Sequence, residues 1–459
     1  MKNCRMIILA ALLALALAGF ACAEVLTTEE AGELSGVGMQ GKEHVQLMTS
    51  NAPAQNNISD ERHNGIVEIP PIWGLFKNVQ MRGAQKTEPR GVYRYTLSGA
   101  VCSATQQMSV FQQPHNMQFS DKRPAGITKF ENVPADEERL IKDMEIILQE
   151  KMSMDYPAGI TKRDAHPNTL ACLQAQFIVE PNIPAQLKRG IFEFPRTYPA
   201  WVRISSANGK IQSDKAKDLR GFAIKIMGVK GERFQTQNNE KQTQDFVLLS
   251  YPIMPLGTVK LFHDAVYYSI KYSPFVFLAH LAVSGDFHII NELRKTRQNQ
   301  TSPLDIRYWS TTPYLCGTQH VVKYSLVPTS AVKSSLPPKL SDHYLTENME
   351  KHLAVNEASF DFMIQVQKDP ERMPVEDAGV EWNEKESPFI KVATLRILPQ
   401  VFRTRERDEL AEDLSFSPAH SLIDHQPIGG INRARVEIYR YLSEFRHKQN
   451  NRELIEPRY

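Results

Sequence analysis

The residues best placed to do chemistry together stand near the carboxy terminus, in INRARVEIYRYLSEFRH, residues 431–447. Arg435 precedes Tyr439 by four positions and Arg446 follows it by seven. On a helix turning about 100° per residue the three share a stripe about 40° wide. Ile431, Ile438, Tyr441, Leu442 and Phe445 occupy the adjoining arc. A phenol ionises near pH 10, and a guanidinium one turn away favours its anion. The stripe therefore suits a pocket wall that holds a phenolate. The same spacing also describes the solvated flank of an ordinary amphipathic helix.

A second constellation lies in KRDAHPNTLACLQAQF, residues 162–177, where Arg163 precedes His166 by three at the mouth of a predicted strand. WVRISSANG follows, with Arg203 and Ser205, and then DLRGFAIKIMG. A histidine before a strand can act as a base or simply hold the backbone by hydrogen bonds. Ser250, in QDFVLLSYPIMPL, is a further hydroxyl on this side of the chain.

These residues need elements to carry them. The spacing of Leu140, Ile141, Met144, Ile147, Leu148 and the stem of Lys151 predicts a helix over 135–152. Beyond it the period changes to that of strands: ACLQAQFIVE, AWVRISSA, RGFAIKIMGV, TQDFVLLSY, RYWSTTPY, HVVKYSLVP, SFDFMIQVQ and FIKVATLRILP. Eight strands on short or moderate links predict an α+β chain built on an eight-stranded antiparallel β-barrel with flanking helices; a sandwich is the alternative. A helical insertion over 258–298 interrupts them. A doubly wound parallel sheet would need helices between most strands, and they are missing.

The chain of 459 residues, 42% hydrophobic and 23% charged, has the composition of a globular protein. A net charge of +2 gives no nucleic-acid footprint. MKNCRMIILAALLALALAGFACAEV has a basic start, an apolar run and small residues at Ala21 and Ala23. It reads as a signal peptide, 1–23, cleaved after Ala23, which implies a periplasmic or secreted protein without a stable membrane span. Lipidation at Cys22 is less well served by the preceding Gly19 and Phe20. Residues 24–133, rich in Asn, Gln, Ser, Gly and Pro, read as an extended amino-terminal arm suited to wrapping the core or a partner subunit in a homo-oligomer. Residues 134–158 form the helix leading into the core, 159–450 the core, and 451–459 a tail. Cys102, Cys172 and Cys316 remain after the signal, which allows one disulfide and a spare thiol.

Several motifs carry nothing. GVGMQG, residues 36–41, has no strand before it and no apolar helix after it. His420 and His425, in PAHSLIDHQP, read better as turn histidines bonded to backbone carbonyls than as metal ligands.

The order of the chemical pieces resembles the haem catalase superfamily, over about residues 160–450, and most closely its small members without a carboxy-terminal domain. FSPAHSLIDHQPIGGINRAR is similar to the segment that precedes the tyrosine helix in that group. The resemblance implies a haem b cofactor, with Tyr439 as axial iron ligand and Arg435 against its oxygen. It implies His166 as distal acid–base and Ser205 as the hydroxyl that orients it. Arg163, Arg203 and Arg446 become the partners of the propionates. No C-x-x-C-H run is present for covalent c-type attachment. The chain departs from the family where a distal asparagine and an aromatic pair are expected: Ser250 and Tyr251 precede Pro252, and Ile253 and Met254 follow it. After Tyr439 the usual proline and Asp-Thr are replaced by Arg440, Tyr441, Ser443 and Glu444, so Arg446 is matched by spacing alone. The expectation is an oxidoreductase acting on hydrogen peroxide or an organic hydroperoxide, in a catalase or peroxidase type of reaction. Rearrangement of a fatty-acid hydroperoxide, as in the allene oxide synthase relatives, and non-catalytic haem binding are the alternatives.

Overall fold

The computed structural model describes residues 128–234, 240–454 and 456–457, together with the backbone of three short strands nearer the amino terminus. Those strands, Ile66–Val67, Ala84–Gln85 and Arg94–Thr96, form a small antiparallel sheet within a separate unit, Glu33–Lys122. The signal peptide, most of the arm, GVGMQG and Cys102 lie outside the described residues.

The main unit is a closed eight-stranded antiparallel barrel flanked by helices. Its first four strands are β1 (Asn168–Val179), β2 (Thr197–Ser206), β3 (Arg220–Met227) and β4 (Thr243–Leu249). Then come β5 (Tyr308–Trp309), the short β6 (Tyr314–Cys316), β7 (His320–Pro328), β8 (Ala358–Val366) and β9 (Ile390–Ile397). The hoop runs β1-β2-β3-β4-β5-β7-β8-β9 and closes through Ala393↔Val179, with β6 added beside β7. All eight strand segments read from the sequence are barrel strands, because each keeps alternate apolar residues turned to one side. In β2, Ala200, Val202 and Ile204 point into the barrel and are fully buried. Closure is uneven: β1 and β2 pair over most of their lengths, whereas β4 and β5 meet only at Leu249↔Trp309.

The barrel is packed with side chains. Phe177, Phe192, Phe246, Tyr324 and Phe362 interlock with centroids 4.7–6.5 Å apart. His425 lies edge-on to Phe192 at 5.1 Å and accepts a hydrogen bond at Nε2 from the Ile191 N–H, 3.2 Å away. Gly190, with φ +53°, makes room for that ring: a Cβ there would stand 2.5 Å from Nε2. Backbone groups of Leu315 and Arg189 also bond to the ring, so this histidine serves the backbone, with one N–H among its partners.

Helix α1 (Glu137–Asp155) buries Leu140, Ile141, Met144, Ile147 and Leu148. It packs on α2 (Val259–Lys271) and on the terminal helix through Val259, Ala434 and Ile438. The insertion resolves into α2, α3 (Pro274–Ser284) and α4 (Phe287–Thr296). Two helices were not legible in the sequence, α5 (Tyr344–Leu353) and α6 (Arg405–Asp413). In α6, RERDELAED, Ala411 alone is buried, so no apolar stripe announces it. The chain closes with α7, Gly430–Gln449. Among the described residues no helix is long and apolar enough to cross a membrane. Cys172 and Cys316 are buried free thiols.

Burial pushes the His425 pKa down from 6.5 to about 3. The folded state thus binds fewer protons than the unfolded chain between those values, and stability falls as pH drops below 6.5. Lowering the pH from 6.5 to 5 should remove about 2 kcal/mol through this group. His425→Gln, which keeps an acceptor but cannot titrate, should flatten that dependence in urea unfolding curves measured at both pH values.

Candidate functional site

The outer face of the barrel holds the chemistry. Because strand residues alternate, Arg203 and Ser205 of β2 and Gly221 of β3 point away from the core that Val202, Ile204 and Phe222 fill. Helices cover this face, and so Arg203 and Ser205 are buried although they stand outside the barrel.

His166 stands just before β1 in a left-handed conformation, φ +58°, uncommon for a residue with a side chain. Its Nδ1 lies 2.9 Å from Ser205 Oγ. Arg203 fixes the backbone beside it, donating to the His166 carbonyl at 2.8 Å and to Thr169 Oγ1 at 2.7 Å. Gly221 pairs with Ser205 across the ladder, and a Cβ on it would come within 2.7 Å of the imidazole. The missing side chain is what lets the ring lie flat against the strand. Burial, and then the positive fields of Arg203, Arg435 and Arg163, push the His166 pKa down to about 3. The imidazole is neutral throughout the physiological range and able to accept a proton.

The influence of Arg435 on His166 ties the two sequence constellations to one locus. Arg435 is buried on α7. Its Nε donates to Tyr439 Oη at 3.3 Å, and its Nη1 to Thr312 Oγ1 at 3.2 Å and Asn432 Oδ1 at 3.3 Å. Burial works to lower its pKa, but the Tyr439 and Tyr314 oxygens outweigh burial and hold it above the ordinary value. Tyr439 itself is half-buried.

Electrostatic anchors fix α7. Gly429 begins it with φ +85°, where a Cβ would strike the Val375 carbonyl at 2.3 Å. Arg433 donates to Glu137 at 2.6 and 2.8 Å, to Glu131 at 2.6 Å and to Glu376 at 2.8 Å. Upstream, Asp245 of β4 receives hydrogen bonds from Lys225 of β3 at 2.9 Å and from the Ser417 N–H at 3.0 Å, and lies 2.8 Å from His420 Nδ1. Glu240 joins the same group. Its carboxylates and imidazole are close enough to hold a metal ion, but the Lys225 ammonium already sits among them as the cation. His420 therefore pairs with a carboxylate rather than with the expected backbone carbonyl.

The remaining arginines meet at the end of α6. Arg163 Nη2 donates to the carbonyls of Ala411, at 2.9 Å, and Leu414, at 2.6 Å, and Nη1 lies 3.3 Å from Glu412 Oε2. Arg446 donates to the Glu412 carbonyl. Burial, the like charge of Arg163 and that of Arg446 lower the Arg203 pKa, and burial with Arg163 brings that of Arg446 to about 9. Arg203 Nε is buried without a partner. The three charges repel one another, with the Glu412 carboxylate as a counter-charge beside them.

Ser250 lies at the edge of this face. Its Oγ accepts from the Arg220 N–H at 2.9 Å, one residue from Gly221, so its oxygen serves the sheet backbone. Sequence reasoning missed Thr312, Asn432, Gly221 and Glu412. Of these only the glycine left a signal, since a lone glycine inside a strand marks a close approach.

No family model matches the chain, and no curated protein matches it in sequence. Among solved structures it is similar to a fungal catalase, with TM-score 0.51, 16% identity, and coverage of 72% of this chain and 66% of that one. It is also similar to catalase A from Saccharomyces cerevisiae, with TM-score 0.49 and 14% identity over 71% of this chain and 68% of that one. A bacterial catalase gives TM-score 0.47 and 14% identity over 74% and 67%. The chain thus spans slightly under two thirds of the fungal catalase, and the likeness is one of fold.

Gly221→Ala should expel the imidazole from its bond to Ser205 and cost 1–3 kcal/mol, about the usual penalty of overpacking. Ser205→Ala should cost only about 1 kcal/mol. Urea unfolding of both variants, with a structure of the first, checks this. An alanine at 221 that costs nothing and leaves His166 in place would refute the account.

Proposed function

We propose that this chain is an exported haem-dependent oxidoreductase acting on peroxide, in a catalase or peroxidase type of reaction. The observation that carries the reading is the neutral His166, fixed by Ser205 and lying in the electrostatic reach of the same Arg435 that holds the Tyr439 oxygen.

The residues fit a haem b group. Arg203 keeps a buried N–H unpaired, and the Arg163, Arg203 and Arg446 charges repel one another, a combination that two propionates would relieve. Tyr439 would ligate the iron and the three arginines would hold the propionates. When bound, such a group would supply a ferric centre for redox chemistry with peroxide.

The chain's own part is proton handling and positioning. With its hydrogen on Nδ1 and donated to Ser205, His166 keeps the Nε2 lone pair free. That atom can take a proton from a peroxide oxygen and return it to the departing one, so that water leaves. Burial and the neighbouring arginines bring its pKa to about 3, so the ring is uncharged at physiological pH and its lone pair is not already protonated. Arg435 stays charged in a buried site and holds the Tyr439 oxygen, to which its Nε donates at 3.3 Å. Ser250 would donate to a bound peroxide only by turning its hydroxyl hydrogen outward, since its oxygen is already used as an acceptor.

Reconstitution with ferric protoporphyrin should give a high-spin ferric absorption spectrum, altered or lost in Tyr439→Phe, and oxygen should evolve after peroxide addition. His166→Gln should lower that rate by about a hundredfold or more while retaining the spectrum. An unchanged spectrum in Tyr439→Phe would move the ligand elsewhere. Consumption of a lipid hydroperoxide without oxygen release would instead favour the rearrangement. Amino-terminal sequencing of the exported protein should begin at Glu24.

A further inference from the structure

Glu412 touches the arginine cluster through both its side chain and its backbone. Its carboxylate lies 3.3 Å from Arg163 Nη1, and its carbonyl accepts from Arg446. The Arg203 and Arg446 charges also reach it and, with burial opposing, hold its carboxyl below the usual range. Lys162 meets the same carboxylate from the rim at 3.2 Å, one-third exposed. Asp413, next in the chain, turns away to Arg452 at 2.8 Å.

Glu412 lies in the last turn of α6, which packs Leu410 and Ala411 against the barrel, and the arginines add charged contacts to the same segment. Partial negative charge at a helix carboxy terminus adds to the attraction. The Glu412 carboxylate is thus the anion that meets this cluster of cations in the structure. A carboxylate in the cluster also competes with any incoming one.

We infer that Glu412 is a specificity-determining residue of the cofactor site: it occupies the arginine cluster as an internal anion, and a tetrapyrrole with two carboxylates must exchange its side chain out in order to bind. The inference rests on the haem reading above. The exchange involves ion pairs only, without a covalent step. Its consequence is selection by charge. A dianionic ligand can repay the loss of the Arg163–Glu412 contact, and an esterified one cannot.

The test is a titration of the full chain with ferric protoporphyrin IX and with its dimethyl ester, followed by absorbance, for wild type and Glu412→Gln. The variant should bind the diacid about tenfold more tightly, since a competing charge beside the cluster is gone, and bind the ester no differently. In the wild type, diacid binding should also speed amide exchange in residues 405–413. Weaker binding of both ligands by the variant would make Glu412 a structural prop and overturn the inference, as would equal diacid affinity in the two proteins. No binding of either porphyrin by wild type would instead sink the haem reading, and this inference with it. If Glu412→Gln fails to fold, Glu412→Asp withdraws the carboxylate by one methylene and keeps its charge. It should show a smaller tightening for the diacid alone, and no tightening would count against the inference.

Discussion

A single buried ammonium fixes the relation between the barrel and the segment that leads into its last helix. Lys225 projects outward from β3, four residues beyond Gly221, and is enclosed by Asp245, Glu240 and His420. Charges removed from water are tolerated only when fully paired, and loss of one partner typically costs 3–5 kcal/mol. Burial here opposes the charged lysine, but Asp245 and Glu240 prevail and keep its pKa above the ordinary value. Asp245 also binds the backbone of Ser417, and its own N–H reaches the His420 carbonyl at 2.7 Å. The segment entering α7 is thereby tied to the same strand pair that carries Gly221. Arg433 supplies a second tie, from the first turns of α7 to the start of α1. With both in place, Arg435 and Tyr439 have little freedom relative to His166.

The barrel imposes a division of labour on its strands. One face of each strand fills the interior with rings and branched chains, and the other is left for polar groups. In β2 that second face carries Trp201, Arg203 and Ser205, all buried beneath helices rather than solvated. Cys172, Trp201, Met227, Ala411 and Leu414 form the apolar seal between barrel and α6. Polar residues on the outer side of a barrel normally face water, and here they face a low-dielectric layer. That layer is why the imidazole stays neutral and why the arginines depress one another's pKa values.

Much of this arrangement was legible in the sequence. Period-two alternation located all eight barrel strands, and the 3.6 period located α1. The chemical residues were also legible as types: arginine before histidine, arginine and serine on one face of a strand, arginine one turn before tyrosine. What the sequence concealed were contacts with no local signature. Helix α6 is charged on every side, so nothing marked it as the cap over Arg163 and Arg446. The depth of His425 was concealed because PAHSLIDHQP looks like a surface loop, yet its second histidine lies among the barrel's rings. Lys225 sits in an alternating strand where a solvated lysine is the usual outcome, and it is enclosed by Glu240 and Asp245 together with His420, nearly two hundred positions away.

The weakness of the hoop lies between β4 and β5, where one residue pair does the work that seven do between β3 and β4. A closed barrel normally has no free edge to unravel from. This one has a clasp instead of a weld, and local opening follows the least-bonded contacts. Breathing should therefore start at Leu249 and Trp309, beside Ser250 and at the point where the helical insertion leaves the barrel. Parting there would loosen the wall nearest Ser250 while the β1–β3 wall, with Ser205, Arg203 and Gly221, stays shut. The protein thus has a soft side and a stiff side, and His166, Ser205 and Arg203 are mounted on the stiff one.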